Sequence, residues 1–246
     1  MRSKLKYLLV LTVILGFGLA ASADTIDFTN PTNRTVTPTV SNPQIATYDS
    51  AGSPQATAAF LFGGFTINVS GYALPGTSVG LTGQGTATCA GAPNTANCLA
   101  DLALNSRGTN ETGVGILGDG QGDAEISNQD YIAIDLSSLI GQAGAPGSLE
   151  LTLQSIQSGE TGSVLQGGNV NTLSGANTLF TLTGPPETQS FSVSLAGLDS
   201  SNDVIYITGG NLDVLVNSNT PEPASIFIFG TGLVGLARFT RRKLIG

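Results

Sequence analysis

Between Asp24 and Thr220, apolar and polar side chains alternate with a period of two far more often than with the 3.6 period of a helix. The stretch SLELTLQ at 148–154 puts Leu149, Leu151 and Leu153 on one face and Glu150, Thr152 and Gln154 on the other. Residues 130–136 set Ile132, Ile134 and Leu136 opposite Tyr131, Ala133 and Asp135. Two apolar runs, 204–207 and 212–216, flank TGGN at 208–211, a turn signal that predicts a hairpin. Further strands are predicted over 59–70, 101–105, 113–117, 178–183 and 189–194. Only 137–142 offers a helical turn. Residues 29–54 contain Pro31, Pro38, Pro43 and Pro54 with little periodicity, and read either as a mobile arm or as a long loop lying across the body. Many short strands joined by Gly, Ser, Thr and Asn predict an all-β fold, with one antiparallel β-sandwich or jelly-roll body over 24–216.

The pattern changes at both ends. Arg2, Lys4 and Lys6 precede an apolar run from Tyr7 to Leu19, and Ala21-Ser22-Ala23 supplies a small-x-small site. This predicts a signal-peptide helix over 1–23, Sec export, removal by signal peptidase and a mature chain beginning at Asp24. The run is short for a retained membrane helix. At the other end a polar spacer, 217–220, leads to Pro221-Glu222-Pro223, an uncharged stretch at 224–237, and then Arg238, Arg241, Arg242 and Lys243. The prolines restrict the residues before them to extended geometry, so the tripeptide is a stiff strand that a processing enzyme can grip. As a helix the 14 residues 224–237 rise about 21 Å against a bilayer core of about 30 Å, a marginal span. Gly230, Gly232 and Gly235 weaken it further. The basic cluster belongs on the cytoplasmic side, which places the body outside.

This order of tripeptide, short apolar helix and basic cluster resembles the PEP-CTERM sorting signal of exported Gram-negative proteins. The resemblance implies recognition at Pro221, Glu222 and Pro223 by exosortase, a transpeptidase-like membrane enzyme. It also implies transient anchoring in the inner membrane, release to the cell surface or extracellular space, and an association with exopolysaccharide. The alternatives for this tail are a plain anchor and a buried core helix, the latter disfavoured by the flanking PEP and basic residues. A looser resemblance joins GVGILGDGQGDAEISNQDYIAIDL at 113–136 to bodies that carry this signal. It implies their β-sandwich family and no particular activity.

Charge and composition narrow the chemistry. Between Asp24 and Thr220 there are two arginines against sixteen carboxylates, a formal balance near −14, which excludes nucleic acid as a partner. The chain has no histidine, which removes Ser-His-Asp and Cys-His nucleophiles and histidine-based zinc sites, and no tryptophan for sugar-stacking platforms. Cys89 and Cys98 bound a ten-residue segment, and in an exported chain they are expected to form a structural disulfide; a C-x-x-C redox spacing is absent.

Oxygen ligands Asp119, Asp123, Glu125 and Asp130 lie in a Gly-rich stretch that admits calcium, although the EF-hand order is absent and such stretches are also ordinary turns. No other cofactor is expected. Glu111, Glu125, Glu150, Glu160 and Glu187 are the glutamates available to a carboxylate-dependent hydrolase acting on polysaccharide, but no spacing selects two of them. The reading is therefore a non-catalytic surface or extracellular-matrix protein with a structural, adhesive or carbohydrate-associating role. The secreted hydrolase is the alternative. A structural body predicts acids scattered over surface turns; a hydrolase predicts two acids facing each other in one cleft.

Overall fold

The computed structural model describes residues 24–26, 28, 35–38, 45–50, 53–74, 76–81, 85–89, 98–108, 111–117, 125–167, 173, 175–209 and 215–217. The expected signal helix at 1–23, the spacer beyond Asn217, the tripeptide, the apolar span 224–237 and the basic cluster lie outside them. Among the described residues no helix is long and apolar enough to cross a membrane.

The strands in chain order begin with β1 (Asp24–Thr25), β2 (Thr35–Pro38), β3 (Ile45–Ser50), β4 (Ser53–Pro54), β5 (Thr57–Phe62) and β6 (Phe65–Ala73). They continue with β7 (Ser78–Leu81), β8 (Gly85–Thr88), β9 (Leu99–Ala100), β10 (Leu102–Gly108), β11 (Glu111–Ile116) and β12 (Asp130–Asp135). The last six are β13 (Ser148–Gln154), β14 (Thr161–Gln166), β15 (Asn177–Thr183), β16 (Gln189–Ser194), β17 (Val204–Gly209) and β18 (Leu215–Asn217). A 3-10 turn, Ser137–Leu139, follows β12 where the helical turn was expected. The all-β class follows from the period-two pattern.

These strands form two nine-stranded sheets. One runs β1-β13-β18-β11-β10-β3-β2, with β16 also on β13 and β4 on β3. The other runs β15-β14-β17-β12-β6-β9-β7-β8, with β5 also on β6. Pairing is antiparallel apart from β1, which lies parallel to β13. Leu149, Leu151 and Leu153 of the first sheet and Ile132, Ile134, Ile205 and Ile207 of the second bury completely in one shared apolar cluster. At the margin Phe180 of β15 stacks on Phe191 of β16, centroids 5.0 Å apart, tying one sheet to the other.

Three expectations change. The run 59–70 is not one strand: Gly63 and Gly64, both at positive φ (55° and 85°), turn it into the hairpin β5–β6 with Phe62 opposite Phe65. The TGGN signal does not close a hairpin, because β12 and β14 occupy both edges of β17. The chain therefore crosses to the other sheet, where β18 pairs β11 and β13. Within 29–54, residues 35–38 and 45–50 pair as β2 and β3 rather than forming only an arm or loop.

Candidate functional site

Cys89 and Cys98 form a disulfide with Cα atoms 4.9 Å apart. It joins the end of β8 to the start of β9, and both residues are buried in the shared core. Gly76 donates its N–H to the Cys89 carbonyl and Cys89 donates to the Thr77 carbonyl, so the bridge also fixes the turn before β7.

Among the described acids Asp101, Glu125, Asp130 and Glu160 are buried, whereas Glu187 and Asp199 are exposed. Asp130, fully buried at the start of β12, closes its own turn: its Oδ1 accepts from the Ser127 N–H at 2.8 Å and its Oδ2 from the Ser127 hydroxyl at 3.3 Å. Glu125, also buried, accepts the Ser155 hydroxyl at 2.9 Å, linking the approach to β12 with the exit of β13. Glu160 is buried and accepts the Gln157 N–H through Oε2, clamping the turn after β13. The Glu160 carbonyl accepts from the Gly184 N–H at 3.1 Å, and the peptide bonds Gly184–Pro185 and Pro185–Pro186 are cis. A buried carboxylate is tolerated only when hydrogen-bonded, and these three meet that condition, Asp130 and Glu160 within their own turns and Glu125 across to Ser155.

Of the calcium candidates, Asp119 and Asp123 lie outside the described residues, and Glu125 and Asp130 are engaged as above. Among the described residues no group of three His, Cys, Asp or Glu is placed to hold a metal ion. Of the hydrolase candidates, Glu160 and Glu125 are buried, Glu150 is half-buried on the outer face of β13, and Glu187 is exposed. Glu111 belongs to β11.

The topology gathers three tyrosines. β6, β12 and β17 lie side by side, so Tyr72 sits opposite Tyr131 and Tyr206 sits opposite Ala133. Tyr72 stacks on Tyr131 with centroids 5.3 Å apart, and Tyr206 meets Tyr131 edge-on at 6.1 Å. The cluster lies on the face of this sheet turned away from the shared core, since Ile132, Ile134, Ile205 and Ile207 point inward. Ser70, half-buried Asp135 and exposed Asn68 extend the face along β6 and β12. The signal was present as Tyr-Ile alternation at 131–132 and 205–207, but which strands neighbour each other is not written in that alternation.

Burial raises the pKa of all three phenols above the ordinary tyrosine value. For Tyr72 a hydrogen bond with Ser70 opposes the rise and Asp135 adds to it. Tyr131 is raised first by burial and then by Tyr72 and Tyr206, and Tyr206 by burial, then Asp203, Tyr72 and Asp135. The Tyr206 hydroxyl is buried without a hydrogen-bond partner among the described residues. Asp203 is raised by partial burial and by Asp135 and Asp199, whereas Asp199 is lowered by the Ser201 hydroxyl and N–H that it accepts. On this face Tyr72, Ser70 and Asp135 are half-buried and Asn68 is exposed, while the neighbouring Tyr131 and Tyr206 are buried.

No curated protein and no solved structure matches the chain. Residues 219–243 match the family model of the PEP-CTERM protein-sorting motif.

Proposed function

From a chain that carries a PEP-CTERM protein-sorting motif, which implies export and cell-surface association, we propose a non-catalytic surface or extracellular-matrix protein. Its body is a two-sheet β-sandwich with a structural, adhesive or carbohydrate-associating role. It is anchored in the inner membrane through 224–237 until exosortase acts at Pro221-Glu222-Pro223. The match at 219–243 is the observation that carries this reading. The non-catalytic part is supported by Glu125, Asp130 and Glu160, whose buried carboxylates accept hydrogen bonds from Ser155, Ser127 and Gln157.

Carbohydrate association draws support from the outer face of the second sheet, where half-buried Tyr72 lies beside Ser70, Asn68 and Asp135. A formal charge near −14 between Asp24 and Thr220 opposes direct contact with an anionic polymer, so the glycan is neutral or bridged by calcium. A calcium site at Asp119, Asp123, Glu125 and Asp130 belongs to this proposal. The hydrogen bonds of Glu125 and Asp130 work against it, since their serine partners would have to be exchanged for the ion.

The test is intact mass of the full chain expressed with and without exosortase. A product running from Asp24 to the neighbourhood of 220–223, present only with the enzyme, is expected. A mass that includes 224–246 in both hosts makes the tail a plain anchor. Neutral-polysaccharide pull-down of the released body, weakened by Tyr72→Ala, tests the carbohydrate role. Tight binding of an anionic polysaccharide in chelator overturns it.

A further inference from the structure

Charge is missing from two long stretches of the chain. Residues 51–100 and 161–186 contain no Asp, Glu, Lys or Arg, although sixteen carboxylates lie between Asp24 and Thr220. The topology carries these stretches to opposite edges of the second sheet. That sheet runs β15-β14-β17-β12-β6, and β5 and β12 pair overlapping parts of β6, so they lie on its two sides. Among the described residues β15 pairs β14 alone and β5 pairs β6 alone. Charged side chains and prolines are the usual devices that keep an open edge from pairing further. Neither TAAFLF of β5 nor NTLFTLT of β15 contains one.

Each edge also carries an exposed leucine. Leu61 of β5 is 45% exposed and Leu179 of β15 is 42% exposed, and these are the exposed large hydrophobics among the described residues. Both face away from the core, because the neighbouring Phe60 and Phe180 pack toward it. A bulge sets Leu179 apart: Val164 pairs Phe180 and Leu165 pairs Thr178, so no β14 position stands opposite Leu179. Residues 180–183 continue beyond it as a regular run.

We propose that copies of this chain add head to tail, β15 of one copy pairing antiparallel with β5 of the next, into an open-ended fibre. The inference goes beyond the sorting reading and does not rest on it. The six strands from β15 to β5 alternate in direction at every step. β15 and β5 therefore run oppositely, and a second copy in the same orientation continues the antiparallel ladder with the same face toward the core. The hydrophobic pattern selects the register. With Leu61 opposite Leu179, Phe60 and Ala58 meet Phe180 and Leu182 on the inner side, and the ladder ends with Thr57 opposite Thr183. Both strands stop there: β15 ends at Thr183, and beyond Thr57 the same edge of β6 is taken by β9. A slip of one residue would set outward Leu61 against inward Phe180. A body near −14 repels its own copies, and these uncharged edges are where two copies approach with least repulsion. The two surfaces differ, so the contact propagates where a two-fold pair would close.

The test uses the full chain in uncharged detergent, unsubstituted and as Leu61→Lys and Leu179→Lys. Both changes fall at exposed positions, and an unchanged thermal midpoint checks that each variant folds. Sedimentation of the unsubstituted chain is expected to show a mass that rises with concentration beyond the dimer. Either variant alone has one blocked edge in every copy and should need at least about tenfold more protein to reach the same mass. Mixed in equal amounts, the variants should form dimers and stop. The intact β15 of Leu61→Lys fits the intact β5 of Leu179→Lys, and neither free end accepts another copy. Hydrogen exchange of the unsubstituted chain needs no substitution: amides in 57–61 and 179–183 should slow about tenfold or more as the mass rises.

An unsubstituted chain that stays monomeric up to about 1 mM overturns the proposal and leaves the edges to another partner. Association at full strength in Leu61→Lys also overturns it, since a two-fold β15 pair or the tail then carries the contact. Folded variants that do not dimerise when mixed have the same consequence. So does a rising mass with unchanged exchange in both strands, which decides the matter even if a variant fails to fold.

Discussion

Gly184 shows how closely two turns pack at one end of the molecule. A Cβ built there would lie 1.8 Å from the Gln157 carbonyl oxygen, inside the turn that Glu160 clamps. Because the obstacle is backbone, no rotamer change relieves it. Gly184→Ala is expected to cost about 1–3 kcal/mol, the range for forced overpacking, read as a lower denaturation midpoint at unchanged m-value. Tyr206 presents the opposite case. Its hydroxyl is buried without a partner among the described residues, so Tyr206→Phe removes a desolvated group and keeps the ring contact with Tyr131. A gain of about 1 kcal/mol is expected; an equal loss would show that the hydroxyl is engaged.

The same burial sets the alkaline behaviour. Tyr131 and Tyr206 hold their protons above the ordinary tyrosine range when folded, while the unfolded chain releases them near pH 10. Their contribution is whole below that value and is lost as pH rises beyond it, so tyrosinate absorbance and unfolding should rise together. Tyrosinate from Tyr131 and Tyr206 appearing while the fold is intact would contradict this. The alternating pattern revealed that Tyr131 faces away from Ile132, yet it could not reveal that Tyr72 and Tyr206 stand beside it. That depends on which strands are neighbours.

At the scale of elements, the disulfide segment is where local sequence is most informative. Two cysteines nine positions apart in an exported chain predict a bridge, and the bridge joins β8 to β9. Loss of the cross-link in a Cys89→Ala, Cys98→Ala double variant is expected to cost about 2.5–3 kcal/mol from the chain entropy of so short a loop. Reductant should lower the melting temperature of the unsubstituted chain and leave that variant unmoved. Strand boundaries were legible wherever one face is apolar, as in β13, where Leu149, Leu151 and Leu153 face inward. The opposite face was less so. Thr152 and Gln154 stand on the polar face of the strand, yet both are buried, with Thr152 sharing a 2.7 Å hydrogen bond with Ser190. Alternation says which side chains point the same way; it does not say what lies over them. The hairpin expected around TGGN fails for a related reason: a turn signal is local, and pairing requires a free edge, which β17 lacks.

For the molecule as a whole, the two ends and the body obey different physics. The order of PEP, apolar stretch and basic cluster is a linear signal read by other molecules, so sequence alone determined it, and the match at 219–243 bears it out. The all-β class was likewise determined, because a period of two persists whatever the strands pair with. Composition set the charge near −14 and the absence of histidine, and with them the classes of partner and catalysis that were set aside. Tertiary structure alone decided that Glu125 would become a buried connector to Ser155, that three tyrosines would share one face, and that β1 and β18 would both pair with β13. Each of these joins segments far apart in the chain, from Glu125 with Ser155 to Asp24 with Leu149. Such contacts arise from the order and register of strands in a sheet, which long-range packing fixes and a local pattern does not contain.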